Sequence, residues 1–517
     1  MKNSLIPTLI LTFSLAMIQP GQAQKKKSAK RGVSYDIPYL KDLEVLSEGV
    51  TWFYNWGVAP ISSLRDAADT YLDYVPMVWN NGYDRTKLRT YLTNHPKVKY
   101  ILGFNEPNFK AQANMTPSQA AAAWPELEAI ADEFNLKIVA PAVNYGPTNG
   151  SVTEGNVTYT NPWEYLDAFF AAAPNARVDY IAVHCYMNDP NAMDWFVKEF
   201  INKYHKPIWL TEFCAWESNA PLNAGRAEGL PYQRSTMIRK IEVLEKNPMV
   251  EKYAWFIPRT NNEIGYPYMQ LMRSVQTDPM YDIVGSGVLT DLGNVYLNMS
   301  TFDSTYFAGV NQQIPAKDYI ESFWVKLETT TDTACQIPIQ LCDFQSGLYT
   351  DYFIDVPTAG NYQIQLRIAN LANVNPKFKI SSNGTQLTSQ EVPSTGGVDK
   401  WATRILPITL LAGKQTLRIT SSGSSGCKMV WFSLMDQTEL IQTPSTYYEA
   451  FVDNNKKLQF ITNETINATL YDCSGRQLIK GISTKGTDLS ALSNGMYILE
   501  IKYENGKQTT TKILINQ

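Results

Sequence analysis

The sequence predicts a multidomain protein: a (β/α)8 barrel of the TIM type, then a β-sandwich module, then a small C-terminal β domain. Its 517 residues exceed the size at which a single hydrophobic core stops growing, about 250–300 residues. Over residues 32–300, short apolar runs alternate with helix-like stretches, as in parallel sheets covered by helices. Beyond this region, short strand-like segments separated by turn residues replace the alternation.

The first residues are typical of a secretory signal peptide. Lys2 supplies the positive charge, Leu5–Ile18 form the apolar segment, and Gly21–Ala23 offer small residues for cleavage before Gln24. We therefore expect residues 1–23 to be removed and the mature protein to be secreted or displayed at the cell surface. The apolar segment is too short for a membrane span, and no later segment approaches about 20 apolar residues.

The predicted barrel occupies residues 24–311 and contains eight apolar runs that we assign to its strands. Helix-like segments, among them Pro117–Phe134 and Tyr232–Lys246, lie between several of these runs. The runs are Gly32–Tyr35, Val50–Trp56, Tyr74–Trp79, Tyr100–Phe104, Lys137–Pro141, Asp179–His184, Pro207–Thr211 and Lys252–Ile257.

The predicted β-sandwich occupies residues 312–437, where short strand-like segments alternate with tight turns such as Thr358–Gly360. The clearest segments are Gly347–Val356, Gly360–Asn370, Lys377–Ser381, Ile405–Leu411 and Gln415–Thr420.

The last predicted domain spans residues 446–517 and follows a linker at Gln442–Thr446. Its clearest strands are Met496–Tyr503 and Gln508–Ile515. Glu504–Gly506 between them has the Asn-Gly composition of a hairpin turn.

Composition and cysteine spacing narrow the range of functions. A net charge of −4 and only one short basic stretch, Lys25–Arg31, argue against a nucleic-acid partner. The 12 Trp and 30 Tyr offer flat, amphipathic rings suited to stacking on sugars, although many must be core residues. The six Cys show no spacing typical of a metal site, so we expect no zinc, and we expect a disulfide between Cys335 and Cys342.

Two glutamates stand at the ends of apolar runs. Glu106 closes the fourth run within Tyr100–Asn108, and Glu212 closes the seventh within Pro207–Phe213. In a (β/α)8 barrel these strand ends meet at the face that carries the active site. Two carboxylates facing one cavity are what glycoside hydrolysis requires. Either residue alone could equally be a helix cap or a surface acid.

Neighbouring polar residues favour the catalytic interpretation. Asn105 precedes the first glutamate and could hydrogen-bond a sugar hydroxyl at the scissile bond. His184 and Tyr186 are two residues apart at the end of the sixth run, so they share one face and could orient the second glutamate. A structural histidine is the alternative for His184.

Aromatic residues at other strand ends are candidates for sugar stacking. Tyr54 lies in an alternating aromatic set on the second run, and Trp79 ends the third. Trp255 on the eighth run is expected to form the floor beneath the sugar at the cleavage point. Core packing explains some of this set equally well.

The ordered motifs resemble the clan A glycosidases and, more narrowly, glycoside hydrolase family 128. The resemblance implies a retaining endo-β-1,3-glucanase in which Glu106 is the acid/base and Glu212 the nucleophile. The segments that carry it are Arg31–Val33, Trp52–Trp56, Val75–Trp79, Gly103–Asn108, His184–Tyr186 and Trp209–Phe213.

The second domain carries characteristic segments at Ala316–Tyr319, Val356–Tyr362, Leu366–Ala369, Pro393–Gly396 and Leu411–Gly413. Through them it resembles a carbohydrate-binding module of family 6, which implies a carbohydrate partner; the family 128 resemblance implies β-glucan. Trp401 stands where that family commonly carries a sugar-stacking tryptophan. Pro315 and Lys317 replace acidic residues that often help to hold a structural calcium, so we expect no cofactor. Lys428 replaces an Asn that often hydrogen-bonds the sugar. A purely structural sandwich is the alternative.

The C-terminal domain resembles a type IX secretion sorting domain, through Ala468–Arg476 and Asn494–Leu499. This resemblance implies secretion machinery as a partner, and a third binding domain is the alternative. For the whole chain two other functions stay open. One is a clan A hydrolase of another β-glycan, such as mannan or mixed-linkage glucan, and the other is a non-catalytic surface lectin or adhesin.

Overall fold

A computed structural model describes residues 26–515, apart from 216–225, 260–268, 273–286, 424–425 and 437–449 and a few short stretches near the C-terminus (453–455, 461–464, 473–475, 485 and 505–507). The chain divides into two compact units, residues 1–435 and 436–517. The segment predicted to be a signal peptide, the linker Gln442–Thr446 and Cys473 lie outside the described residues.

The first part of unit one, which we call the parallel-strand domain, alternates strands and helices. Its strands are β1 (Arg31–Ser34), β2 (Trp52–Tyr54), β3 (Asp73–Tyr74), β4 (Tyr100–Leu102), β5 (Lys137–Val139), β6 (Ile181–Cys185), β7 (Ile208–Phe213) and β8 (Val250–Trp255). Its helices are α1 (Leu40–Leu46), α2 (Arg65–Tyr71), α3 (Arg85–Asn94), α4 (Pro117–Glu133), α5 (Pro162–Ala172), α6 (Pro190–Tyr204), α7 (Arg226–Lys246) and α8 (Asp291–Asn298).

The strands β1–β8 pair with one another in parallel. A short antiparallel hairpin, Thr153–Glu154 with Val157–Thr158, lies between β5 and α5. Six strands form one sheet in the order β3-β2-β1-β8-β7-β6, and β4 pairs with β5. Single parallel bridges join the segment after β3 to β4, through Met77 and Leu102, and β5 to the segment before β6, through Val139 and Tyr180. This arrangement brings the carboxyl ends of the strands to the same edge.

The strands are buried on both sides because their side chains alternate between two hydrophobic layers. In β7, Trp209 packs into an inner cluster, whereas Ile208 and Leu210 pack into the large outer core. The inner cluster takes residues from seven of the eight strand regions: Trp52, Tyr54, Val75, Met77, Leu102, Val139, Ala142, Ala182, Trp209 and Ala254.

Each of the eight predicted apolar runs overlaps a strand, although the third run shares only Tyr74 with β3. The predicted helix at 117–134 is confirmed as α4, which begins with Pro117 after a capping box formed by Thr116 and Gln119. The helix predicted from residue 232 begins earlier, at Arg226. Strand β7 continues through Glu212 to Phe213, so the second glutamate lies inside the strand rather than after it.

The second part of unit one is a two-sheet β-sandwich. The strands are β9 (Gln313–Pro315), β10 (Glu321–Phe323), β11 (Lys326–Thr329), β12 (Ile339–Phe344), β13 (Tyr349–Val356), β14 (Gly360–Asn370), β15 (Lys377–Ser382), β16 (Thr385–Glu391), β17 (Gly397–Leu410), β18 (Gly413–Ser421) and β19 (Cys427–Asp436). One sheet has the order β11-β12-β19-β14-β17, with β9 paired to β19, and the other has the order β10-β13-β18-β15-β16.

The predicted disulfide between Cys335 and Cys342 is wrong, since both thiols are free. Cys335 lies in the loop before β12 and packs beside the cluster of Ile337, Val430 and Trp431. Cys342 is buried within β12. Short spacing along the chain could not reveal that the two side chains belong to different surroundings.

The described residues of unit two form seven strands in two sheets, ordered β20-β21-β24 and β23-β22-β25-β26. They are β20 (Ala450–Val452), β21 (Lys457–Phe460), β22 (Ile466–Tyr471), β23 (Gln477–Ile482), β24 (Thr487–Asp488), β25 (Gly495–Tyr503) and β26 (Gln508–Ile515). The two strands expected to form a hairpin do pair antiparallel; the centre of their turn lies outside the described residues.

Candidate active site

The backbone around Glu106 is held by the two neighbouring strand regions. The Asn105 N–H donates to Trp79 O and the Glu106 N–H donates to Ala142 O, each over 2.9 Å. Glu106 has φ +40°, a left-handed conformation that is uncommon for a residue with a side chain. Such conformations persist where surrounding contacts hold them, and they cluster at functional sites.

His184 brings the two glutamates together. Its Nδ1 lies 2.9 Å from Glu106 Oε1 and 3.4 Å from Glu212 Oε2. The two carboxylate oxygens are therefore no farther apart than the sum of these distances. The histidine is fully buried, and its Nε2 has no hydrogen-bond partner among the described residues. Of the two sequence-based interpretations of His184, this position supports the functional one.

Glu212 accepts hydrogen bonds from three aromatic side chains. The Tyr54 hydroxyl (3.1 Å) and the Trp56 indole N–H (2.8 Å) donate to Oε1. The Tyr186 hydroxyl donates to Oε2. Because all three donors act on one carboxylate, its orientation is fixed and its negative charge is partly compensated.

Glu106 has different hydrogen-bond partners from Glu212, and fewer of them. Besides His184, its Oε1 accepts from Asn144 Nδ2 at 3.3 Å. Asn108 Nδ2 in turn donates to the backbone oxygen of Asn144, at 2.8 Å. The glutamate side chain keeps slightly more exposure than that of Glu212, 9% against 6%.

Burial governs the electrostatics of the site. Burial raises the pKa of Glu212, and the negative charge of Glu106 adds to this rise; His184 and the bonds from Tyr186 and Trp56 act in the opposite direction. Burial lowers the pKa of His184, but the two glutamates outweigh it, so the net direction is upward.

The hydroxyl groups around Glu212 stay protonated donors. Burial, together with the charge on Glu212, raises the pKa of Tyr54 and of Tyr186 well above the ordinary value. The site therefore contains two close carboxylates in unequal surroundings, an arrangement that suits separate acid/base and nucleophilic roles.

The structure thus brings together five residues proposed from the sequence, namely Tyr54, Glu106, His184, Tyr186 and Glu212. Asn105 is buried beside them, with its Nδ2 donating to Gln112 Oε1 at 3.3 Å. Its Oδ1 has no hydrogen-bond partner among the described residues. Trp79 is half-buried and packs against the inner cluster.

The position predicted for Trp255 is wrong. Alternation along β8 directs Ala254 to the inner cluster, so Trp255 points toward the helices. Its ring meets Phe213 edge-on, with 5.2 Å between centroids, and its indole N–H donates to Met269 O at 2.7 Å. The ring is fully buried and cannot form the floor of a sugar site.

Trp401 lies on the sandwich, in β17, and is half-buried. Its indole N–H donates to Thr331 Oγ1 at 3.2 Å, and Thr331 donates to Asp399 at 2.9 Å. Lys428 bridges Asp399 and Glu328, at 3.2 and 3.3 Å. This surface is polar and its charges are already paired.

Three residues of the site were not among the sequence candidates. Trp56 belongs to the alternating aromatic set of the second run, and Asn144 follows shortly after the fifth, so position near a strand end was a usable signal for both. Phe256, which follows β8, meets Trp56 and Tyr186 edge-on at centroid distances of 6.1 and 5.6 Å. No sequence pattern indicated that Phe256 belongs to the site, and only the folded structure places it there.

The described residues contain no group of three His, Cys, Asp or Glu side chains arranged to hold a metal ion. In the same part of the chain, none of the helices has the length and apolar character needed to cross a membrane.

Residues 32–296 match the family described as glycosyl hydrolase catalytic core. The chain belongs to this family. Residues 316–438 of this glycosyl hydrolase match the carbohydrate binding module (family 6), and residues 453–516 match the secretion system C-terminal sorting domain, which indicates export.

Two solved structures are similar to about half of this glycosyl hydrolase. A GH128 (subgroup II) endo-β-1,3-glucanase from Sorangium cellulosum is 34% identical, with 52% of this chain and 97% of that chain covered and a TM-score of 0.43. The corresponding enzyme from Pseudomonas viridiflava is 36% identical, with 53% and 98% covered and a TM-score of 0.44.

A curated relative is alkali-sensitive linkage protein 1 of Schizosaccharomyces pombe. It is 26% identical over 280 residues, which are 52% of this glycosyl hydrolase and 45% of the relative. The chain thus spans less than half the length of this relative.

Proposed function

We propose that this chain is a member of glycoside hydrolase family 128 that cleaves β-1,3-glucan internally and with retention of anomeric configuration. The observation that carries the proposal is the contact of one histidine nitrogen with both glutamates. Sequence identity of 34% and 36% to two endo-β-1,3-glucanases, over nearly their whole length, supports the choice of substrate. The parallel pairs and bridges of β1–β8 support a closed (β/α)8 barrel as the scaffold.

In the proposed first step, Glu106 gives its proton to the glycosidic oxygen while a Glu212 oxygen attacks the anomeric carbon. The bond to the leaving sugar breaks and a glycosyl ester of Glu212 forms. In the second step, Glu106 takes a proton from water as the water oxygen attacks the same carbon. The ester breaks, Glu212 leaves as carboxylate, and the product keeps its β configuration.

The spacing of the two carboxylates favours retention over inversion. His184 Nδ1 contacts one oxygen of each carboxylate, which favours the separation of about 5–5.5 Å typical of retaining enzymes over the about 6.5–9.5 Å of inverting ones. The three hydrogen bonds on Glu212 favour the nucleophile's role, since they orient an ionised oxygen. Glu106 has fewer contacts and more exposure, which suits a group that exchanges protons with sugar and water.

The other domains would bring the catalytic domain to its substrate and out of the cell. We propose that the sandwich, residues 312–437, binds β-glucan around Trp401 and raises the local concentration of the catalytic domain on insoluble substrate. Residues 1–23 would act as a signal peptide and residues 446–517 would engage the secretion machinery. No cofactor enters the proposed reaction.

The deciding experiment is product analysis on laminarin and curdlan, with mixed-linkage glucan and mannan in parallel. We expect oligosaccharides from the β-1,3-glucans with the wild-type chain. Glu106→Gln should lose about 10²–10⁴-fold in rate, and Glu212→Ala should lose at least as much. Glu133→Gln, which changes an exposed carboxylate on α4, is the matched control and should keep full activity.

Chemical rescue separates the two roles. On an activated aryl glucoside, azide should restore turnover of Glu212→Ala and yield the α-glycosyl azide. With Glu106→Ala it should yield the β-glycosyl azide. Release of sugars only from another β-glycan would keep the mechanism and reject the substrate. Binding without any cleavage would make the chain a lectin.

A further inference from the structure

A buried lysine outside the proposed reaction lies directly beneath the site. Lys240, on α7, is fully buried. Its Nζ donates to the backbone oxygens of Cys214, at 2.6 Å, and of Met187. Among the described residues it makes no ion pair. Burying an ammonium group without an anionic partner is costly, so its presence here calls for a physical reason.

The two carbonyls that Lys240 binds belong to the segments that carry the site. Met187 directly follows Tyr186, the residue whose hydroxyl donates to Glu212. Cys214 comes two residues after Glu212 itself. One ammonium group therefore ties the end of β6 to the end of β7, at the point where a donor and its carboxylate acceptor must meet.

A second side chain on the same helix face acts on the same segment. Gln233 lies seven residues before Lys240, close to two helical turns, and is also fully buried. Its Nε2 donates to Ala215 O and its Oε1 accepts from the Ala215 N–H, both at 2.8 Å. We call Lys240 and Gln233 the α7 clamp.

The opposite side of α7 is held by the sandwich. Glu242 accepts from the Tyr319 hydroxyl at 3.0 Å and from Ser322 Oγ at 2.6 Å. Arg239 donates to Val325 O at 3.0 Å. Helix α7 is thus fixed on both sides, which gives the clamp a rigid base.

The charges that face the Lys240 ammonium are few. The thiols of Cys185 and Cys214 and the exposed Asp189 are its ionisable neighbours, and burial lowers its pKa. Burial likewise raises the pKa of both thiols. With neutral thiols beside it, the ammonium directs its hydrogen bonds mainly to the two carbonyls.

We propose that Lys240 and Gln233 are positioning residues that set the Tyr186 hydroxyl against the Glu212 carboxylate. This inference rests on the proposed function of Glu212. Strands β6 and β7 pair as far as Cys185 and Phe213. Without the clamp, the segments just beyond this pairing would be free to shift, and the nucleophile would lose its orientation and the donor on Oε2. A misplacement of about 1 Å at a reacting group can cost roughly 100-fold in rate.

The test compares Lys240→Met with Lys246→Met in the full-length chain. Methionine nearly preserves the volume of lysine but removes its donors. Lys246 lies on the same helix and binds Glu321 at the surface, so it controls for loss of a lysine from α7. On laminarin oligosaccharides we expect kcat of Lys240→Met to fall roughly 100-fold with KM nearly unchanged, and Lys246→Met to match the wild type.

The pH profile separates positioning from simple destabilisation. Glu212 must be ionised to attack, and the Tyr186 bond is one of the contacts that lower the pKa of Glu212. Loss of that bond should therefore move the acidic limb of kcat/KM to higher pH. A lower melting temperature with an unmoved limb and unchanged kcat would overturn the inference.

Gln233→Met provides the second variant if Lys240→Met does not fold. It should show the same shift of the acidic limb with a smaller loss of kcat, and an unmoved limb would again overturn the inference. Failure of the wild-type chain to cleave any β-1,3-glucan would instead reject the proposed function. The two failures are therefore distinguishable.

Discussion

Glu212 in the parallel-strand domain and Asp332 in the sandwich are both buried carboxylates, with 4% and 3% of their surface exposed. Their surroundings act in opposite directions. Burial raises the pKa of Glu212, whose direct donors are two neutral hydroxyls and an indole. Arg367 lowers the pKa of Asp332 through two hydrogen bonds, at 2.7 and 3.0 Å.

The difference shows what a buried carboxylate needs in order to stabilise a fold. A fixed cation such as Arg367 offsets the desolvation of Asp332, so ionisation favours the folded state. Glu212 shares its site with Glu106, and ionisation there opposes folding. The ionised Glu212 therefore lowers the stability of the folded state, whereas the paired Asp332 does not. Such a loss of stability is common where charged groups serve function.

Asp332→Asn should have the largest effect on stability, a loss of about 2 kcal/mol at pH 7, since charge-assisted bonds contribute roughly 1.5–3 kcal/mol. The folded pKa is depressed, so the contribution of Asp332 is present above its unfolded pKa of about 3.9 and disappears as the pH falls through the folded value. Calorimetry of the full chain at pH 7 and at a pH well below about 3.9 measures this loss. A deficit that is as large at the low pH would point to packing rather than charge.

Glu212→Gln should have a smaller effect of opposite sign. Because the folded pKa is raised, the wild-type chain gains stability from Glu212 only while the carboxyl is protonated and loses it as the pH rises through that value. The neutral amide should therefore raise the melting temperature at pH 7, and the gain should shrink toward pH 4. A lower melting temperature at pH 7 would mean that the bonds from Tyr54, Trp56 and Tyr186 outweigh burial.

Trp401→Ala should have the smallest effect on stability, because the ring is half-buried at a surface whose charges pair with one another. Affinity for curdlan should nevertheless fall roughly tenfold if the ring stacks on sugar, and cleavage of short soluble oligosaccharides should be unchanged. Affinity electrophoresis and pull-down on curdlan measure the difference. Trp324→Ala, at a more exposed tryptophan on the sandwich (61% exposed), is the control; equal losses in both variants would remove the special role of Trp401.

Local patterns in the sequence were enough to locate the strands and the two glutamates. Apolar runs closed by polar residues identified β4 and β7, since burial on both faces leaves a continuous hydrophobic signature. The same signature could not say which side of β8 faces inward. Ala254 and Trp255 are both apolar, and only packing against Trp52 and Trp209 selects the alanine.

The expected disulfide failed for a related reason. Spacing along the chain limits how far apart two thiols can be, but their direction depends on the sheet each one joins. Cys342 is fixed by its place in β12, whereas Cys335 follows a loop that turns toward Trp431 and Trp401. Neither direction is encoded in the short segment between them.

The sequence by itself determined the order of strands and helices, the presence of two strand-end glutamates and the aromatic residues in or next to the second and sixth runs. These features depend on local periodicity and on the identity of single residues. The tertiary structure decided that His184 touches both carboxylates and that Trp56 joins Glu212 across 156 positions of chain. It also decided the direction of each pKa, because burial and the distance between charges arise only when remote segments pack together.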